Sequence, residues 1–345
     1  MTPEKTPPRS IVGGMISVLF LFLLMITAFL VVLSFPAGVY TVFFANLSNS
    51  TSAGSLGVPY LWLGPIPISL PFSVTFGGVF LVLTAIYAAF FALAAWQGKS
   101  LISAMLASLR GGVSEFFSNR ALLTLISIGF LVFTAGIVNA FVTVSGSTVG
   151  NPFVGIDPLR ALLGFTLAPL REEFGFRVLL IGAIAFFISL WRGGKVALMS
   201  LWRPSASYEG ADNNTALIVV VGVAGALSSG VFGVCHVACG GTGWDIGKLP
   251  EATYGGVVLA YLYIKFGFHV AVLAHWGVDY LSSVFAFFGQ GAFGVPWASE
   301  PAFSLQQLVA VDLYGAFGVA SFLVVMYVGA RKISAARSDP IPSVS

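Results

Sequence analysis

Residues 11–34 read IVGGMISVLFLFLLMITAFLVVLS, an apolar run with no charged side chain. A bilayer core about 30 Å thick needs about 20 such residues in a helix, and this run meets that alone. It is longer than the apolar region of a signal peptide and lacks a small-x-small cleavage site, so it reads as a retained anchor. The rest of the chain shares its character. Of 345 residues only 16 are Lys or Arg and 13 Asp or Glu, a charged fraction of 8 % where soluble domains average roughly 25 %. Hydrophobic residues make up 57 % and mean hydropathy is +0.96. A soluble surface of that composition would aggregate, which excludes an ordinary soluble enzyme. The net charge of +3, with no basic run, excludes a nucleic-acid partner.

Seven further apolar segments follow, at 74–96, 121–144, 169–190, 216–237, 252–264, 268–288 and 305–328. The expected fold is an all-α polytopic membrane protein, a bundle of about eight transmembrane helices in contact with lipid. The sixth segment is short and Gly-rich. Pro169 has no amide hydrogen and suits a first helical turn, so the apolar stretch before it should form a separate short helix. The chain divides into an N-terminal membrane region (1–158, about three spans), a second membrane region (159–330) and a polar tail (331–345).

Placing the N-terminus in the cytoplasm puts Lys5, Arg9, Lys99, Arg110, Arg120, Arg192, Lys195, Arg203, Lys265, Arg331, Lys332 and Arg337 on one side, as the positive-inside rule requires. Both termini are then cytoplasmic and the uncharged loop 35–73 is outside. That loop holds two glycosylation sequons, Asn46-Leu47-Ser48 and Asn49-Ser50-Thr51, although Asn213-Asn214-Thr215 falls in a loop assigned to the inside. Segment 98–120 has apolar residues at helical spacing and suits the inner interface.

Few ionisable residues remain within the spans, where a charge costs at least about 2.5 kcal/mol. They gather in Pro169-Leu170-Arg171-Glu172-Glu173-Phe174-Gly175-Phe176-Arg177, in Phe232-Gly233-Val234-Cys235-His236 and in His275-Trp276-Gly277-Val278-Asp279. Glu173 and Arg177 are four apart and can pair on one helix face. Glu172 is left without a local partner and is free to face the interior as a base. His275 and Asp279 share a face, as do Phe232 and His236, which makes Phe232 a packing support for the imidazole. Two imidazoles and a carboxylate around a water describe two chemistries. One is a glutamate base with histidine helpers; the other is a zinc-bound water held by Glu172, His236 and His275. Both lead to hydrolysis, and no other cofactor is suggested. His269 reads as interfacial. Cys235 and Cys239 read as small buried helix residues.

Glu172-Glu173-x3-Arg177, Phe232-x3-His236 and His275-x3-Asp279, in that order on separate spans, resemble the CAAX prenyl protease and bacteriocin-processing (CPBP) family, also called the abortive-infection family. The resemblance covers 169–283. It implies intramembrane endoproteolysis of a membrane-associated protein or peptide, prenylated CAAX-type or other. Glu172 and His236 would activate water, and His275 with Asp279 would complete the oxyanion site. Glu173 and Arg177 would be structural or substrate-positioning. Asp279 stands where the prenyl-protein branch typically has Asn. The competing class is a non-enzymatic membrane protein, either a proton-coupled transporter using the same cluster as a relay or an inactive scaffold. A transporter would be expected to repeat its polar helices in both halves, and only the second half is polar.

Overall fold

The computed structural model describes residues 11–45, 47, 52–56, 60–63, 66–69, 73–153, 155–209, 215–239, 243–294 and 312–338. The asparagines of all three sequons, together with Gly240 and Gly241, lie outside them. Among the described residues eleven α-helices dominate: α1 (Ile11–Phe43), α2 (Phe76–Trp96), α3 (Leu101–Gly111), α4 (Arg120–Val144), α5 (Pro158–Glu172), α6 (Ala183–Trp191), α7 (Ala197–Trp202), α8 (Thr215–Ala238), α9 (Lys248–Phe266), α10 (Phe268–Phe293) and α11 (Tyr314–Ser338). A small antiparallel hairpin, β1 (Tyr60–Leu63) with β2 (Ile66–Ser69), interrupts the loop after α1. The all-α polytopic architecture is borne out.

Among the described residues seven helices, rather than the expected eight, are long and apolar enough to cross a membrane. The difference is the sixth segment. It folds as the 19-residue α9, but Lys248, Glu251 and a Tyr- and Gly-rich middle make it too polar to count as a span. It lies instead against α8. Small residues one turn apart let the two backbones approach closely. A Cβ on Gly233 would meet the backbone oxygen of Leu249 at 2.9 Å, and one on Gly256 would meet the Cα of Ser229 at 3.1 Å.

The short helix expected before Pro169 is a second correction. α5, a π-helical stretch (Glu173–Gly182) and α6 run on as one 34-residue helix, Pro158–Trp191, with Pro169 inside it. Proline removes one intrahelical bond and crowds the preceding turn, and transmembrane helices tolerate this when neighbours satisfy the disturbed carbonyls. Here the buried hydroxyl of Tyr87, on α2, donates at 2.6 Å to the Thr166 carbonyl, the next one along from the Phe165 carbonyl that Pro169 leaves without an amide. In the π-helical turn, the Ser228 hydroxyl on α8 donates to the Phe176 carbonyl at 2.5 Å. At 1.5 Å per residue the whole helix is about 50 Å long, so Glu172 sits near its middle and not close to an end.

The core is organised around α10, which packs against α1, α4, α5 and α9. Its span is 82 % buried, against 22 % for α2 and for α11. Trp276 anchors it, stacked on Phe35, Tyr87 and Tyr280. Such pairs are worth about 0.5–1.5 kcal/mol beyond the area they bury. His269, expected at the interface, is fully buried and stacked on Trp202 with ring centroids 5.4 Å apart, because α10 turns this face toward α2 and α7.

The bundle has two chemically different ends. At one, Gly98 bridges to Asn119, the Arg120 guanidinium lies over Phe266, and Tyr263 donates to the Leu201 carbonyl. Lys99, Arg120, Arg203 and Lys265 collect here. At the other, Gly150 bridges to Trp244, and the amides of Asp245 and Gly247 donate to the Val149 and Thr148 carbonyls. Gly150 and Gly243 take left-handed φ values of +76° and +101° where these two loops cross, a conformation only glycine adopts freely. Basic residues are sparse at this end.

Candidate active site

Three helices converge near the second end. Glu172 and Glu173 come from the junction of α5 with the π-helical stretch, a distortion that recurs at functional sites. His236 comes from the last turn of α8, and His275 and Asp279 from α10. Glu172 Oε2 is 4.0 Å from His236 Nε2 and 3.9 Å from His275 Nε2. Both distances are too long for direct hydrogen bonds. The Glu172, His236 and His275 side chains keep 18 %, 16 % and 10 % of their surface accessible, so the cluster is enclosed without being sealed. Glu172 does have a local partner after all. The half-exposed Arg171 approaches Oε1 at 3.7 Å, within reach because both neighbouring side chains are long.

The ring nitrogens are held in defined roles. Nδ1 of His236 is 2.8 Å from the Phe232 carbonyl, which can only accept, so Nδ1 carries a hydrogen and Nε2 is the nitrogen that faces Glu172. Nδ1 of His275 donates to Glu173 Oε1 at 3.0 Å. Its Nε2 lies 3.4 Å from Asp279 Oδ2. Glu173 and Arg177 form an ion pair at 3.2 Å with both side chains at 0 % exposure. The carboxylate thus has two jobs: Oε2 faces the guanidinium and Oε1 fixes the histidine.

Phe232 lies among these groups. Its ring meets His236 edge-on at 4.5 Å and His275 at 6.0 Å, and the Arg177 guanidinium sits 4.7 Å over its centre. The cation–π contact gives the buried guanidinium a partner besides Glu173.

The sequence reading missed one side of the site. Trp244 lies 6.3 Å from the His236 ring, and Lys248 sits 4.2 Å over the Trp244 indole while pairing with Glu251 at 3.0 Å. The readable signal was the Lys248-x2-Glu251 spacing, an i, i+3 pair opening a helix. Both residues precede the apolar segment that starts at Ala252.

Zinc shared by Glu172, His236 and His275 would need ligand atoms about 3.4 Å apart around a tetrahedral ion. The observed separations of 3.9 and 4.0 Å are wider, and among the described residues no group of three or more His, Cys, Asp or Glu is arranged to hold a metal ion. As they stand, these residues do not fit the metal.

Residues 155–281 match the family model described as Type II CAAX prenyl endopeptidase Rce1-like. This segment is similar to that family. The match takes in every residue of the cluster just described, and the resemblance read from the three motifs is borne out. The Rce1-like segment covers just over a third of the chain and begins three residues before α5. No curated protein and no solved structure matches the chain.

Proposed function

We propose that this protein is a CAAX protease-like intramembrane endopeptidase in which Glu172 activates water. The observation that carries the reading is the convergence of Glu172 Oε2 with both imidazole Nε2 atoms at 3.9–4.0 Å. A water about 2.8 Å from each atom spans those distances. Glu172 takes a proton from this water while His236 Nε2 accepts its second hydrogen and fixes its direction. The oxygen attacks the scissile carbonyl, and the tetrahedral oxyanion forms beside His275 and Asp279, where an Nε2–H of His275 donates to it. Glu172 then hands its proton to the leaving amine, and the C–N bond breaks. Glu173 keeps the His275 ring oriented for this step, and Arg177 pairs with its other carboxylate oxygen.

The substrate is a membrane-associated protein or peptide, prenylated or not, that enters from lipid or from the loop-covered end. On this reading that end is extracytoplasmic and both termini are cytoplasmic. The gathering of Lys99, Arg120, Arg203 and Lys265 at the opposite end supports this orientation under the positive-inside rule. No step runs through a metal, so pre-incubation with a chelator leaves cleavage intact.

The test is a comparison of peptide termini in membranes carrying wild type or Glu172→Ala. New termini that vanish in the variant, with the variant still folded, support the proposal. Identical sets of termini would sink it.

A further inference from the structure

Cys235 and Cys239 flank His236, and the structure joins them in a disulfide. This overturns their reading as buried inert residues: Cys235 is half-buried and Cys239, just past the end of α8, is exposed. The bridge closes over the last turn of the helix that delivers His236. The final carbonyls of any helix lack intrahelical partners, and its last turn frays. Beyond Cys239 the chain is held again at Trp244, Asp245 and Gly247 by their bonds to 148–150. Upstream it is held at Phe232, packed against Phe176 and Arg177. The stretch carrying His236 lies between these two anchored points. Within it, the Cys239 amide donates to the Cys235 carbonyl at 3.1 Å, and the disulfide is the covalent tie.

We propose that Cys235–Cys239 is a redox-modified site whose oxidised form holds His236 in catalytic position, so that forming the bridge is a maturation step. The proposal rests on the peptidase reading above. The chemistry is thiol–disulfide exchange with a disulfide-bearing oxidant of the thiol oxidoreductase class. The two cysteine thiols lose two protons and two electrons, an S–S bond forms between them, and the oxidant's S–S bond is reduced to two thiols. Exposed Cys239 is the sulfur an oxidant can reach first. Disulfides form and persist in oxidising compartments, and the pair lies at the end of the bundle poor in basic residues, the end assigned above to the outside. The protein is therefore latent while its thiols are reduced and becomes competent once that end meets an oxidising environment.

The experiment uses the full-length protein in proteoliposomes. Intact mass after maleimide treatment should show no added label before reduction and two labels after it. Reduction should speed amide hydrogen exchange over 235–239. It should also lower kcat by about tenfold or more, with KM little changed, since a displacement near 1 Å in a catalytic group costs about 10²-fold. Glutathione disulfide should restore both values. The double variant Cys235→Ser/Cys239→Ser should sit at the reduced rate and ignore reductant; if it does not fold, reduction of wild type gives the answer alone. Labelling of both cysteines without reductant overturns the proposal, as does a reduced protein with unchanged exchange and cleavage. Should no peptide be cut in either state, the peptidase reading fails, and the exchange measurement still decides whether the bridge orders His236.

Discussion

Replacing Glu173 by glutamine separates the two jobs of that carboxylate. The amide keeps an oxygen that can accept from His275 Nδ1, so the hydrogen bond at 3.0 Å has a replacement. It cannot balance Arg177, whose guanidinium is fully buried 3.2 Å from the carboxylate. Removing one member of a buried pair typically costs about 3–5 kcal/mol because the other charge is left uncompensated. The face of Phe232, 4.7 Å away, does not offset this, because that cation–π contact, worth about 2 kcal/mol when desolvated, is already present in the wild type. Glu173→Gln should therefore lose about 3–5 kcal/mol of stability, a shift of roughly two to three and a half decades in the unfolding equilibrium constant. Arg177→Met should lose a similar amount. The double variant Glu173→Gln/Arg177→Met should lose less than the two single losses added together, because neither charge remains to be stranded. Reversible unfolding in mixed micelles with rising denaturing detergent measures all three. Single losses below about 1 kcal/mol that add in the double variant would refute the claim that this pair is a dry, coupled unit.

Three further outcomes follow from the packing and the site. Gly233→Val places a side chain against the Leu249 carbonyl, 2.9 Å from its Cβ, and should cost about 1–3 kcal/mol and reduce cleavage by pushing α9 with Lys248 from α8; a wild-type melting curve and rate would contradict this. Tyr87→Phe removes the donor to the Thr166 carbonyl and should destabilise by about 1–3 kcal/mol, seen as a lowered Tm with cleavage retained by the folded fraction. Asp279→Asn keeps a polar group beside His275 Nε2 and should hold the rate near wild type, whereas Asp279→Ala should lower kcat about 10²-fold or more; equal rates for the two variants would remove Asp279 from the oxyanion site.

The spans were readable because a membrane helix declares itself by an unbroken apolar run, and α2, α4 and α8 begin and end within two residues of the expected limits. What failed to show were features whose meaning depends on neighbours. Pro169 marks a helix start only if the turn before it has no outside support, and Tyr87, far away in sequence, donates into that turn. α9 is shielded by α8 and can afford polar residues that a lipid-facing helix cannot. The i, i+4 rule found the Glu173–Arg177 pair but is silent on the second carboxylate oxygen, which reaches His275 from 102 residues away. Likewise, two cysteines four apart fit a bare helix face as well as a bridge, and only the end of α8 at Ala238 separates the two. The four residues expected to carry the chemistry, Glu172, His236, His275 and Asp279, were placed together by motif order, and the folded chain links His236 to Glu172, Glu172 to His275 and His275 to Asp279 at 3.4–4.0 Å.

The central claim is that the Glu172 carboxylate is the base. Its most direct test is the cleavage rate of a membrane-anchored fluorogenic peptide by purified wild type and Glu172→Gln, reconstituted side by side and matched for Tm. The account predicts that the variant, equal in shape and unable to take a proton from water, loses at least about 10³-fold in kcat with its stability unchanged, a combination expected of a general base and not of a packing residue. Turnover by the variant within a few-fold of wild type would contradict it.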